Sequence, residues 1–123
     1  MTDRIAAYEA AIAATWQADG AHDLGHVRRV WRTARHIAEA EGGADTEVLA
    51  AAAYFHDAVN LPKDSPDRAQ ASTLSADLAV RMLPDLGFPA DKLDALHHAI
   101  AAHSFSARIP CRTPEARILQ DAD

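Results

Sequence analysis

The chain carries one cysteine, Cys111, so no intramolecular disulfide framework can staple it. Aromatic residues make up only 6% and β-branched residues are sparse, which removes the composition that favours sheets. No apolar run approaches the ~18 residues of a membrane-spanning helix. Asp3 and Arg4 interrupt any signal-peptide pattern at the start, so the cytoplasm is the expected compartment and no membrane partner is expected. Positive charge is also short: 12 Lys and Arg against 18 Asp and Glu leave a net charge of −6 with neutral histidines. No basic patch stands out, which argues against polymeric nucleic acid as a partner. A small phosphorylated ligand stays open, because one metal ion and a few basic side chains neutralise it locally.

What is present is apolar and helix-forming. Hydrophobic residues are 49% of the 123 and many are alanine, the best helix former. The length suits one compact domain over 1–123, enough for a real core. Apolar spacing predicts a helix over 3–18, with Asp3 as N-cap and Ile5, Tyr8, Ile12 and Trp16 facing inward, stopped at Asp19-Gly20. A second helix over about 23–41 buries Val27, Val30, Trp31 and Ala34 and ends at Gly42-Gly43. A third begins after Asp45 or Thr46 and runs into Tyr54-Phe55-His56-Asp57; apolar nearly all round, it is the expected central helix. A proline-fixed loop over 60–66 precedes a fourth helix over about 67–82, with Ala71, Leu74, Leu78 and Met82 facing in. A turn around Gly87, a fifth helix over about 90–103, a loop over 104–112 and a final helix from Thr113-Pro114-Glu115 complete the chain. The expected fold is all-α, a single-domain bundle of about five to six helices.

Four residues on or beside these apolar faces draw attention: His26, His56, Asp57 and Asp123. Buried ionisable groups are costly unless paired or metal-bound, and imidazoles with carboxylates from three helices suit a divalent ion. Taken alone, His56-Asp57 also reads as a helix end and turn, and His26 as a core histidine bonded to backbone. His22 lies at i−4 to His26, but a helix start explains it well enough, so His26 ranks above it as a ligand. Asp123 shares the face of Leu119, whereas Asp121 points elsewhere. His36, His97 and His98 read as structural or surface residues, and Cys111 as non-catalytic.

The order of His26, His56-Asp57 and Asp123 resembles the signature of the HD-domain metal-dependent phosphohydrolases. The segments 21–30, 49–57 and 118–123 resemble that family's three motifs in order, and the likeness covers about 20–123. It extends to a small bacterial subgroup of stand-alone HD hydrolases, through the segments 56–64 and 102–106. The resemblance implies metal ligation by His26, His56, Asp57 and Asp123. The implied cofactor is one divalent ion, manganese ahead of magnesium, nickel, cobalt, iron or zinc, with His103 a candidate ligand for a second ion. It implies hydrolysis of a phosphate ester or anhydride, with Asp57, Lys63 and Asp64 as catalytic candidates. Lys63, Arg68, His103 and Ser104, with Ser106, are the candidates for substrate binding. The implied substrate is a small phosphorylated compound, a nucleotide first; a monomer or homodimer is expected, with the sequence deciding neither. Two departures stand out. Asn60 occupies a position where many relatives carry an acid acting on the attacking water. The family also continues past its last aspartate, so the expectation is a C-terminally incomplete domain. The tripeptide Gly-Tyr-Pro of cyclic-dinucleotide hydrolases is absent. The competing expectation is a non-catalytic sensor of metal or nucleotide.

Overall fold

The computed structural model describes residues 2–16, 24–59, 61, 64–104 and 107–123. Six α-helices and three short 3-10 turns make up its regular structure, with no strand among the described residues. The helices are α1 (Thr2–Trp16), α2 (Leu24–Glu41), α3 (Thr46–Phe55), α4 (Ala71–Met82), α5 (Leu93–Ala102) and α6 (Pro114–Ala122). The expected all-α bundle is therefore what forms. No helix among the described residues is long and apolar enough to cross a membrane.

Helix α3 is the axis. Its whole stretch from Val48 to Phe55 is buried, and α1, α2, α5 and α6 all pack against it. Asp45 starts it by accepting from the backbone N–H groups of Glu47 and Val48 at 3.0 and 3.3 Å. The preceding Gly42 closes α2, its N–H donating to Ala38 O at 2.8 Å with φ at +74°, a conformation that favours glycine. Thr113 caps α6, accepting from Ala116 N at 3.2 Å, with Pro114 in the first turn as its sequence implied. The buried Glu115 of that turn accepts from Asp45 N at 2.9 Å, so one carboxylate ties the start of α6 to the start of α3.

Several boundaries shift. Helix α1 starts at Thr2, so Asp3 lies inside it rather than capping it, and the proposed stop at Asp19-Gly20 lies outside the described residues. Helix α3 ends at Phe55, leaving His56 as its C-cap and Asp57 in the following turn. Helices α4 and α5 start later than expected because the 3-10 turns Arg68–Gln70 and Ala90–Lys92 take their first residues. The face of α4 differs too. Its buried residues are Ser72, Ser75, Ala76 and Ala79, whereas Leu74 is 39% exposed and Leu78 and Met82 are only partly buried. Small side chains let α4 lie close along α5.

Candidate metal centre

Three helix ends meet at one point. His26 comes from the first turn of α2, His56 from the C-cap of α3, and Asp123 from the C-cap of α6. One ligand atom from each lies within 4.8 Å of the others. Oδ1 of Asp123 is 3.2 Å from Nε2 of His26 and 3.2 Å from Nε2 of His56. The Asp123 backbone N–H donates to Leu119 O at 3.0 Å, so α6 carries its helical phase to the last residue.

The His56 ring is fixed on one side. Its Nδ1–H donates to Ala53 O at 2.6 Å, which leaves Nε2 as the lone-pair nitrogen of the neutral ring. That Nε2 is buried and makes no hydrogen bond, although Asp123 Oδ1 lies 3.2 Å from it. Burial opposes the His56 imidazolium, but Asp123, the Ala53 carbonyl and Asp57 together outweigh it and raise the His56 pKa. Asp123 is drawn down to about 2, first by its approach to His56 and then, against partial burial, by the charges of His56, His103 and His26.

His103 is a further member of the cluster. It caps α5, its ring stands edge-on to that of His56 at 5.0 Å, and its Nε2 lies 3.7 Å from the other oxygen of Asp123, Oδ2. Its Nδ1–H donates to Ile100 O at 2.5 Å. Burial and the neighbouring His56 lower its pKa, against the pull of Ile100 O, Asp123 and Asp57, so it favours the neutral ring. The sequence singled His103 out for substrate or a second metal; the structure sets it against the aspartate that joins the other two histidines.

The other candidates divide. Asp57 is half-buried beside His56 and its charge acts on His56 and His103, but its carboxylate is outside the three-atom cluster. Asp64 is exposed in the loop, and Ser104 is half-buried directly after His103. Arg68 lies in the turn before α4, and its side chain is outside the description. His22, Asn60, Lys63 and Ser106 lie outside the described residues. Asp121 is exposed and contributes nothing to the cluster, as helical phase implied. His97 pairs with Asp77 at 2.8 Å. His98, expected at the surface, is half-buried and accepts from Arg112 N at 2.9 Å, which pins the loop before α6. Burial raises the Cys111 thiol pKa, the opposite of an activated nucleophile. A groove of about 300 Å³ beside Arg32, Arg35 and His36 contains none of the cluster residues.

The donors suit a divalent ion. Bonds of ~2.1 Å to nitrogen and oxygen place neighbouring donors about 3.0–3.4 Å apart in octahedral or tetrahedral geometry, and both N···O separations are 3.2 Å. The His56 Nε2, buried and without a hydrogen bond, is what a metal would satisfy. A family model, the HD domain, matches residues 23–123. The chain belongs to the HD-domain family. No curated protein matches it at a significant level. HD domains are generally metal-dependent hydrolases of the phosphohydrolase superfamily and bind divalent metals, and in this HD domain the three-residue cluster is where such an ion fits.

Proposed function

We propose that this HD domain is a divalent-metal-dependent phosphohydrolase acting on a small phosphorylated compound, a nucleotide in the first instance. The observation that carries the reading is the convergence of His26, His56 and Asp123, with a buried His56 Nε2 that has no other partner. His26, His56 and Asp123 would hold one ion, manganese first, and Asp57, next to His56 in sequence, is the candidate fourth ligand. Such an ion would lower the pKa of a water, to ~7 in favourable sites, and neutralise phosphoryl charge. Asp57 would orient an attacking water, and neutral His103 has an Nε2 lone pair beside Asp123 that would hold or pass a proton. Lys63, Arg68 and Ser104 are assigned to the phosphate, with Asp64 beside Lys63 in sequence as an alternative base.

Purified protein incubated with nucleoside mono- and triphosphates and each of Mn2+, Mg2+, Ni2+, Co2+, Fe2+ and Zn2+ should release phosphate or pyrophosphate. His56→Ala should abolish that release. No release with any pair, from folded and metal-loaded protein, overturns the enzymatic reading. Asn60 gives the second reading its basis, because an amide there cannot take a proton from water. A non-catalytic sensor would bind metal and nucleotide without turnover.

A further inference from the structure

Helix α4 contributes no residue to the metal cluster, yet two of its side chains grip the segments that do. Ser75 is fully buried. Its hydroxyl donates to Val59 O at 3.1 Å and accepts from Val59 N at 2.9 Å. Val59 stands two residues beyond Asp57, in the turn that leaves α3. One turn earlier on the same face, the buried Ser72 donates to Ala101 O at 3.0 Å, two residues before His103.

The chain leaving α3 needs such a partner. Helix ends leave backbone groups without intrahelical bonds. Ala58 N–H finds Phe55 O at 3.1 Å, but both polar groups of Val59 turn to Ser75. A serine hydroxyl can donate and accept together, which alanine cannot. The rest of the buried α4 face is Ala76 and Ala79, so an apolar side chain would serve packing at position 75. A buried hydroxyl is retained at a cost unless it is bonded.

We infer that Ser75 is a positioning residue for the metal centre: through Val59 it sets the course of the turn that carries Asp57, with Ser72 fixing the level of α4 against α5. His56 is locked to Ala53 on one side of Asp57 and Val59 is locked to Ser75 on the other. Asp57 is thereby bracketed, and its carboxylate has a restricted arc from which to reach the ion. The inference rests on the metal reading above. Partners that orient metal ligands typically contribute 10–100-fold to affinity.

The test compares Mn2+ binding by calorimetry in wild type, Ser75→Ala, Ser75→Cys and Ala79→Gly, each shown to be folded by circular dichroism. Ala79→Gly is the control, weakening the same helix at a buried site that no hydrogen bond joins to Val59. Ser75→Ala should bind Mn2+ roughly 10-fold or more weakly, with Val59 amide exchange accelerated. Ser75→Cys, a weaker donor and acceptor of similar size, should fall between and carries the comparison if the alanine variant does not fold. Ala79→Gly should lower Tm and leave Kd unchanged. Wild-type affinity in folded Ser75→Ala, or in Ser75→Cys with Val59 exchange accelerated, overturns the inference alone. An equal loss in Ala79→Gly also overturns it, since general loosening would then suffice. No Mn2+ uptake by wild type overturns the metal reading and the inference with it.

Discussion

His56 meets two demands with its two ring nitrogens: Nδ1 anchors the ring to Ala53 O, and Nε2, without a hydrogen bond, faces Asp123 Oδ1 at 3.2 Å beside His26. His56→Ala removes both, so the variant should show no Mn2+ binding by calorimetry while its metal-free form still unfolds cooperatively. The pH dependence follows from opposite shifts. The raised His56 pKa means that its pairing with Asp123 stabilises the metal-free fold fully below the ordinary value of 6.5 and is lost as pH rises through the raised folded value. The lowered Asp123 pKa means that its contribution is present above the ordinary 3.8 and is lost as pH falls towards about 2. A metal needs the neutral His56 ring and must displace its proton. Mn2+ affinity should therefore rise with pH through the raised His56 pKa and then level off. Below that pKa, calorimetry in buffers of different ionisation enthalpy should show net proton release, and a pH-independent affinity would contradict the assignment. The preference for Asp123 over Asp121 was legible in the sequence, because helical phase separates residues two apart. The place of His103 was not, since its distance to Asp123 depends on how α5 and α6 dock.

One carboxylate of helix α1 bonds to both α2 and α3. Glu9 takes a bidentate contact from Arg28 of α2 at 2.9 Å for each bond, and Oε2 also accepts from the Tyr54 hydroxyl of α3 at 2.8 Å. Arg28 is half exposed, so solvent screens its share. Tyr54→Phe removes the less exposed bond and should cost about 1–1.5 kcal/mol in urea unfolding, with no effect on Mn2+ affinity. The Arg28 contact, ahead of an opposing burial effect and the Tyr54 bond, lowers the Glu9 pKa. Its stabilisation is thus present above the ordinary 4.5 and fades as pH falls through the lowered folded value. Glu9→Gln should flatten that acid limb of the stability curve. At this scale the sequence was readable where large apolar residues recur at helical spacing, as Tyr8, Ile12 and Trp16 do in α1 and Val27, Val30 and Trp31 in α2. It misled in α4, where the leucines suggested an inward face and the buried face is Ser72, Ser75, Ala76 and Ala79. Periodicity weighs hydrophobicity, whereas the docking of α4 on α5 selects small side chains. The late starts of α4 and α5 were hidden for a related reason, since a 3-10 turn and a first α-helical turn accept the same residues.

Across the whole molecule, the cluster joins elements far apart in sequence: α2, the end of α3 and the end of α6. Without metal, that junction holds two histidine nitrogens around one carboxylate oxygen, with the buried His56 Nε2 left without a hydrogen bond. A divalent ion there would satisfy the nitrogen and cross-link the three elements. The unfolded chain does not bring these residues together, so binding free energy becomes folding free energy. At a free metal concentration 100 times Kd the gain is about 2.7 kcal/mol. For a domain between the small and mid-sized classes, each kcal/mol raises Tm by roughly 3–5 °C, so saturating Mn2+ should raise Tm by about 10 °C. Calorimetric melts with Mn2+, then with excess chelator, read this directly: the rise should appear, reverse on chelation, and vanish in Asp123→Asn, whose amide is a poorer ligand. Ca2+ should give a much smaller rise, because nitrogen donors suit it poorly. A Tm unmoved by every divalent ion would mean that the three helix ends meet without forming a metal centre.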